Sequence, residues 1–153
     1  MTTTTFKTAS GTKPAPISPR AGGVVSVPFE RQIDASAEIT AAADKLRLCF
    51  LPAGHVVVDA IIGMGDLDGG SGLVWDLGIE DATQNPTDTT DANALVSGST
   101  VGQAAGVQRM DEGAGLLIPA VNYDRFVTIT ITTPPATDAD GKVYGRILYQ
   151  SEI

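Results

Sequence analysis

Very few residues in this chain could do covalent or metal chemistry. It carries one His and one Cys. A Ser-His-Asp triad could use only His55, which follows Gly54 at the start of an apolar, strand-like run. A neutral imidazole satisfied at a strand end is the reading that position favours. Ser71 sits in Gly-Gly-Ser-Gly-Leu and Ser99 in Ser-Gly-Ser-Thr-Val, and neither fits the G-x-S-x-G nucleophile elbow. Cys49 lies in the run LRLCFL and reads as a small buried hydrophobe. With one Cys, an internal disulfide is impossible, and a Cys/His zinc site within one chain lacks ligands. Gly63-Met64-Gly65 and Gly70-Ser71-Gly72 are glycine-rich, but no Lys follows and no strong helix opens, so a phosphate loop is not formed. Asp66-Leu67-Asp68-Gly69 begins like a calcium loop. An EF-hand then needs an oxygen ligand, Gly and Glu where Gly70, Ser71 and Leu77 stand, so the match fails. Asp66 and Asp68 are left as weak metal candidates, and turn chemistry explains both as well. No cofactor is expected. Paired carboxylates for glycosidase work are spatial and stay open, though nothing favours them beyond the number of acids.

The elements around these residues come from 153 residues, one domain's worth. Seventeen Gly, nine Pro and only 18% charged residues argue against a helical bundle. Short β-rich runs separated by turn signals fill the chain from residue 23 on. Gly23 to Phe29 is one, with Pro28 placing it at an edge or a strand end. Lys45 to Leu51 is another, with Leu46, Leu48 and Phe50 sharing a face. His55 to Met64 is nearly all apolar and reads as a central strand. Leu73 to Glu80 alternates most clearly, with Trp75, Leu77 and Ile79 on the inward face. That leaves Trp75 a poor platform for stacking sugars. Gly115 to Val121 is a further apolar run broken by Pro119. Arg125 to Thr133 points Val127, Ile129 and Ile131 inward, and Lys142 to Tyr149 closes the set. Ala37 to Ala43 is ambiguous between a short helix and a bend, and Asp91 could cap a short helix over Ala92 to Ser97. Seven or eight strands with turns between them predict an all-β protein: an antiparallel sandwich or jelly roll over residues 23–153.

Charge is unevenly placed. Residues 1–31 carry +3, whereas residues 50–124 hold Arg109 against eleven acids. The net charge of −8 argues against sequence-general nucleic-acid binding. No stretch reaches the roughly 18 apolar residues of a membrane span, and the N-terminus lacks the apolar core of a secretory signal. Residues 1–22 read as an extended, basic, Pro- and Thr-rich arm, because Lys13-Pro14-Ala15-Pro16-Ile17-Ser18-Pro19 cannot be helical. The arm is either a solvated tail or docks on something acidic, such as a neighbouring subunit's body, with Phe6, Lys7, Lys13, Ile17 and Arg20 as its candidate binding residues.

The order of four segments resembles the head-decoration, or cement, proteins of tailed bacteriophages. They are LPAGHVVVDAIIGMGDLDGG, LVWDLGIED, NALVSGSTVGQAAGVQRMD and DRFVTITITTPPATDADGKVYGRILYQ. The resemblance spans roughly residues 45–150 and excludes the arm. It implies a non-enzymatic jelly-roll sandwich that binds the outer surface of a phage capsid and reinforces it. The implied partners are the major capsid protein and further copies of the chain, as a homotrimer. The implied location is the capsid surface of a virion assembled in the host cytoplasm. The alternative of a different class is a carbohydrate- or receptor-binding β-sandwich module.

The arm has almost no core-forming residues. Deleting residues 1–22 is therefore expected to leave the β-rich circular dichroism spectrum and cooperative melting in place while abolishing attachment. A truncated chain that cannot fold would make the arm part of the core.

Overall fold

The computed structural model describes residues 2–5, 23–82 and 91–152. Nine strands are found there: β1 (Thr3–Thr5), β2 (Val24–Ile33), β3 (Lys45–Leu51), β4 (His55–Met64), β5 (Val74–Asp81), β6 (Asp91–Ser99), β7 (Gly106–Arg109), β8 (Arg125–Thr133) and β9 (Gly141–Ser151). They form two sheets, ordered β1-β3-β8-β5-β6 and β2-β9-β4-β7. Antiparallel pairs nest: β2 with β9, β3 with β8, β4 with β7, β5 with β6. From β2 on, the first strand pairs with the last and the innermost pair are neighbours in sequence, which is the winding of a jelly roll. The all-β sandwich expected from the sequence is the fold observed. Pro28 lies on β2, an edge strand, and β4 is interior to its sheet, as their compositions predict.

Period-two patterning builds the core. Trp75, Leu77 and Ile79 of β5 stand opposite Ile131, Ile129 and Val127 of β8, all inward and all buried. Val27, Phe29, Ala60, Ile62, Val143, Ile147 and Tyr149 fill the layer from the other sheet. Trp75 is fully buried, and its indole N–H donates to the Val101 carbonyl at 2.6 Å. Cys49 is buried in the same core, and burial pushes its thiol up to about 12, so it stays protonated and inert at neutral pH.

Four expectations change. A bulge between Arg47 and Cys49 reverses the alternation of β3, so Phe50 leaves the face of Leu46 and Leu48 and meets Phe126 edge-on at 5.5 Å. The segment Ala92 to Ser97 is strand β6 rather than a capped helix. Register shifts on its pairing with β5 bury Ala94, Leu95 and Val96 in a row, which hides the alternation. Ala37 to Ala43 resolves into a single helical turn, Ala35–Glu38, followed by bends. The apolar run near Pro119 is no strand: its first three residues end the 3-10 turn Gly113–Leu117, the rest is irregular, and Leu116 and Leu117 are exposed.

β1 pairs in parallel with the edge of β3, inside the stretch read as an arm. The Lys45 N–H donates to the Thr2 carbonyl, and the Thr2 N–H donates to Asp44 Oδ1 at 2.6 Å. Phe6, Lys7, Lys13, Ile17 and Arg20 lie outside the described residues.

Replacing Trp75 by Ala removes the largest side chain in the core and leaves the Val101 carbonyl without its donor. The expected loss is about 3–5 kcal/mol in a denaturant titration. Near-wild-type stability would contradict the burial.

Candidate functional site

Asp68 is the most buried acid among the described residues and lies in the Asp66–Gly72 loop. Its Oδ1 accepts the N–H groups of Gly70, Ala136 and Thr137 at 2.9, 3.0 and 3.0 Å. Its Oδ2 accepts those of Gly72 and Leu73 at 2.6 and 2.8 Å. Burial alone would raise this carboxyl, but five backbone donors reverse that and hold it well below the usual carboxylate range. Asp66 Oδ1 accepts the Asp68 N–H at 3.2 Å. The two acids thus serve as turn and clamp, tying the β4–β5 loop to the β8–β9 loop. Among the described residues, no group of three or more His, Cys, Asp or Glu could hold a metal ion. His55 opens β4 with Nδ1 3.0 Å from the Ala53 carbonyl and its ring edge-on to Tyr149.

The two outer faces of the sandwich are finished differently. On the β3-β8-β5 face, Glu80 accepts from Lys45 Nζ and Arg47 Nε, each at 2.9 Å, and from the Thr128 hydroxyl at 3.3 Å. The Arg47 guanidinium lies 4.8 Å from the centre of the Phe126 ring. Burial raises the Glu80 carboxyl, and the hydrogen bonds and charges of Arg47 and Lys45 outweigh it and lower it. This face is self-paired.

The β2-β9-β4-β7 face is open. One cross-strand row reads Glu30, Tyr144, Gly63, Val107, and the next reads Pro28, Arg146, Ile61, Arg109. Tyr144 is 41% exposed and Val107 61%. A Cβ on Gly63 would fall 2.3 Å from Tyr144 Cε2, so the ring lies over bare backbone that only Gly leaves clear. Lys142 pairs with Glu30 at 2.8 Å and Arg109 with Asp59 at 2.6 Å. Arg146 donates only to the Ser26 hydroxyl, at 3.2 Å, with no carboxylate partner among the described residues. In an acidic body, the outward positions of this face's four strands carry three cations, Lys142, Arg109 and Arg146, against two acids, Glu30 and Asp59, and the groove beside them adds Asp111 and Glu112. Leu116 (67% exposed) shares a groove with Val58, Asp59 and Arg109, so the 3-10 turn continues the face. Val24 lies on β2 of the same sheet, so all the large hydrophobics exposed among the described residues stand on this sheet or on that turn. Sequence reasoning looked to the arm and missed this face. Its signal is in β9, where Lys142, Tyr144 and Arg146 alternate with buried Val143, Ile147 and Tyr149: the outward set is aromatic and cationic.

No protein-family model and no curated protein matches the chain. Solved structures do. The chain matches, over 99% of its length and 99% of the other's, a chain titled "Capsid of Ralstonia phage GP4", with 31% identity and a TM-score of 0.80. It matches a chain of the cyanophage Pam1 capsid asymmetric unit with 25% identity and a TM-score of 0.65, covering 94% of this chain and 96% of that one. A chain from the acid-stable capsid of Helicobacter pylori bacteriophage KHP30 shares the fold, with a TM-score of 0.52 at 15% identity, over 84% of this chain and 91% of that one. The chain belongs to the family of phage capsid proteins and is a virion structural protein. No helix among the described residues is long and apolar enough to cross a membrane.

Asp68→Asn replaces one acceptor oxygen by an amide donor, leaving at least two N–H groups, those of Gly72 and Leu73 in the better amide orientation, without an acceptor. The expected cost is roughly 1–3 kcal/mol per group. The Asp68 carboxyl is depressed in the folded state, so its contribution is complete above the unfolded pKa of about 4 and is lost as pH falls below it. Wild-type stability should decline below about pH 4 more steeply than that of Asp68→Asn. Parallel pH profiles in denaturant titrations would contradict the clamp.

Proposed function

We propose that this protein is a capsid cement: it binds the outer surface of a phage shell and reinforces it, without catalysis. The observation that carries the reading is the full-length likeness to a chain of a phage capsid, joined to the open β2-β9-β4-β7 face. Tyr and Arg on a flat, unfinished sheet face are the residue types that dominate binding energy when desolvated. A standard interface needs about 800 Å² from each partner, which is within reach of a four-stranded face. The partner is the major capsid protein, and the site is the surface of the virion.

Three copies acting together would multiply a modest affinity through avidity, so the working unit in this proposal is a homotrimer. The basic arm, with Phe6, Lys7, Lys13, Ile17 and Arg20, contacts the shell or a neighbouring copy. An attraction between the +3 segment and the −10 segment of another copy would weaken with salt. The lectin-like alternative draws no support from the described residues, because Trp75 is in the core and, among them, Tyr144 is the one exposed aromatic side chain.

The test is to heat undecorated shells with and without the protein. Shells carrying it should open at a higher temperature. Tyr144→Ala, at an outward position, should keep its circular dichroism spectrum and lose on the order of tenfold or more in shell affinity, the effect of losing a hot spot. Shells that open at the same temperature with and without the wild-type protein would overturn the cement reading.

A further inference from the structure

Beside the 3-10 turn lies a cavity of about 310 Å³. Ile79, Leu117, Ile118, Pro119 and Val121 give it apolar walls, and Arg125 lines it from β8. Arg125 is 3% exposed. Its guanidinium donates to two carbonyls, His55 O at 2.7 Å and Pro119 O at 3.3 Å, and its Nε has no hydrogen-bond partner. No carboxylate pairs with it among the described residues. Asp91 lines the same cavity, but no hydrogen bond joins it to Arg125. A cation taken out of water without a counter-charge is costly, and burial accordingly lowers the Arg125 pKa. The arrangement is therefore half of an ion pair, set at an apolar pocket. Leu117, 82% exposed, is an uncovered apolar lip on it.

We propose that this cavity is an anchor site for a carboxylate borne next to an apolar group, supplied by a segment of the phage shell in which an acidic side chain neighbours an apolar one. The acidic group pairs with Arg125, and its apolar neighbour fills the pocket under Leu117. Two observations select this occupant. An anion supplies the carboxylate partner that Arg125 lacks among the described residues. The turn that carries Leu117 into the cavity also carries Leu116 into a separate groove with Asp59 and Arg109, so one turn sets the cavity beside the open sheet face. The choice of the shell as the source rests on the cement reading, whereas the chemistry of the cavity does not.

Two experiments separate these parts. The first titrates the isolated protein with 8-anilinonaphthalene-1-sulfonate, whose sulfonate stands in for the carboxylate, and with the uncharged dye N-phenyl-1-naphthylamine. The anionic dye should bind saturably at one site. Arg125→Met should weaken it by about tenfold or more, the effect of one charge-assisted hydrogen bond, while Arg125→Lys retains most of the affinity. The neutral dye should bind wild type and Arg125→Met alike. If Arg125→Met does not fold, Leu117→Glu decides: it changes an exposed residue and sets a competing carboxylate at the mouth, so it should also weaken the anionic dye. Absence of saturable binding, or equal affinity of the anionic dye for wild type and the folded variants, overturns the site. The second experiment sediments the protein with shells. Leu117→Glu should co-sediment less than wild type, and equal co-sedimentation overturns the shell segment as occupant. A wild-type protein that fails to sediment overturns the cement reading and the occupant with it, while the dye titration still decides the cavity.

Discussion

Two sheets packed face to face have two inner faces to bury and two outer faces to finish. The inner faces are satisfied by apolar contact between Trp75, Leu77 and Ile129 on one side and Ile62, Ile147 and Tyr149 on the other. The outer faces are where the sequence makes a choice. On the five-stranded sheet, Glu80 gathers Lys45, Arg47 and Thr128, and Phe50 and Phe126 pack beside them. The charged groups Lys45, Arg47 and Glu80 are paired with one another there. On the four-stranded sheet, Tyr144, Val107 and Arg146 are left uncovered. An apolar and cationic surface on an otherwise acidic body is what a docking face looks like before docking.

Loop anchoring supports that asymmetry. Asp68 gathers backbone donors from two loops, so the β4–β5 and β8–β9 connections are fixed to one another by one carboxylate. Those loops lead into β5 and β9, whose side chains finish the two outer faces. Asp44 does a related job at the other edge, where it accepts the Thr2 and Ala41 N–H groups and holds the start of the chain against β3. β1 then covers part of the edge of β3 that would otherwise be open to pairing. Asp44 and Asp68 accept from backbone donors and Glu80 from Lys45 and Arg47, which leaves Arg146 on the surface and the buried Arg125 without a carboxylate partner among the described residues.

Much of the fold was legible in the sequence because period-two alternation survives wherever a strand is straight. Trp75, Leu77, Ile79, Val127, Ile129 and Ile131 all fall on the inward period and all are buried. The reading failed where bulges break the period. One extra residue near Leu48 turns Phe50 outward, and the shifts along β6 bury three residues in succession, so that strand looked helical. The open face was not legible, because its character depends on which strands lie side by side. Gly63 and Tyr144 are far apart in sequence and become one feature only through the β4–β9 register. The unpaired state of Arg125 is hidden for a related reason: Asp81 stands opposite it on β5 and Asp91 lines the same cavity, and only the folded geometry shows that neither forms an ion pair with it.

The central claim is that the β2-β9-β4-β7 face and the 3-10 turn beside it form the surface that meets the shell. Amide hydrogen exchange on the protein alone and bound to shells tests this most directly, since it reports where backbone becomes protected. The account predicts added protection in the edge strands β2 and β7 and in the Gly113–Leu117 turn, with β3, β5 and β8 unchanged. Protection confined to β3, β5 and β6, with β7 and the turn exchanging as in the free protein, would contradict it.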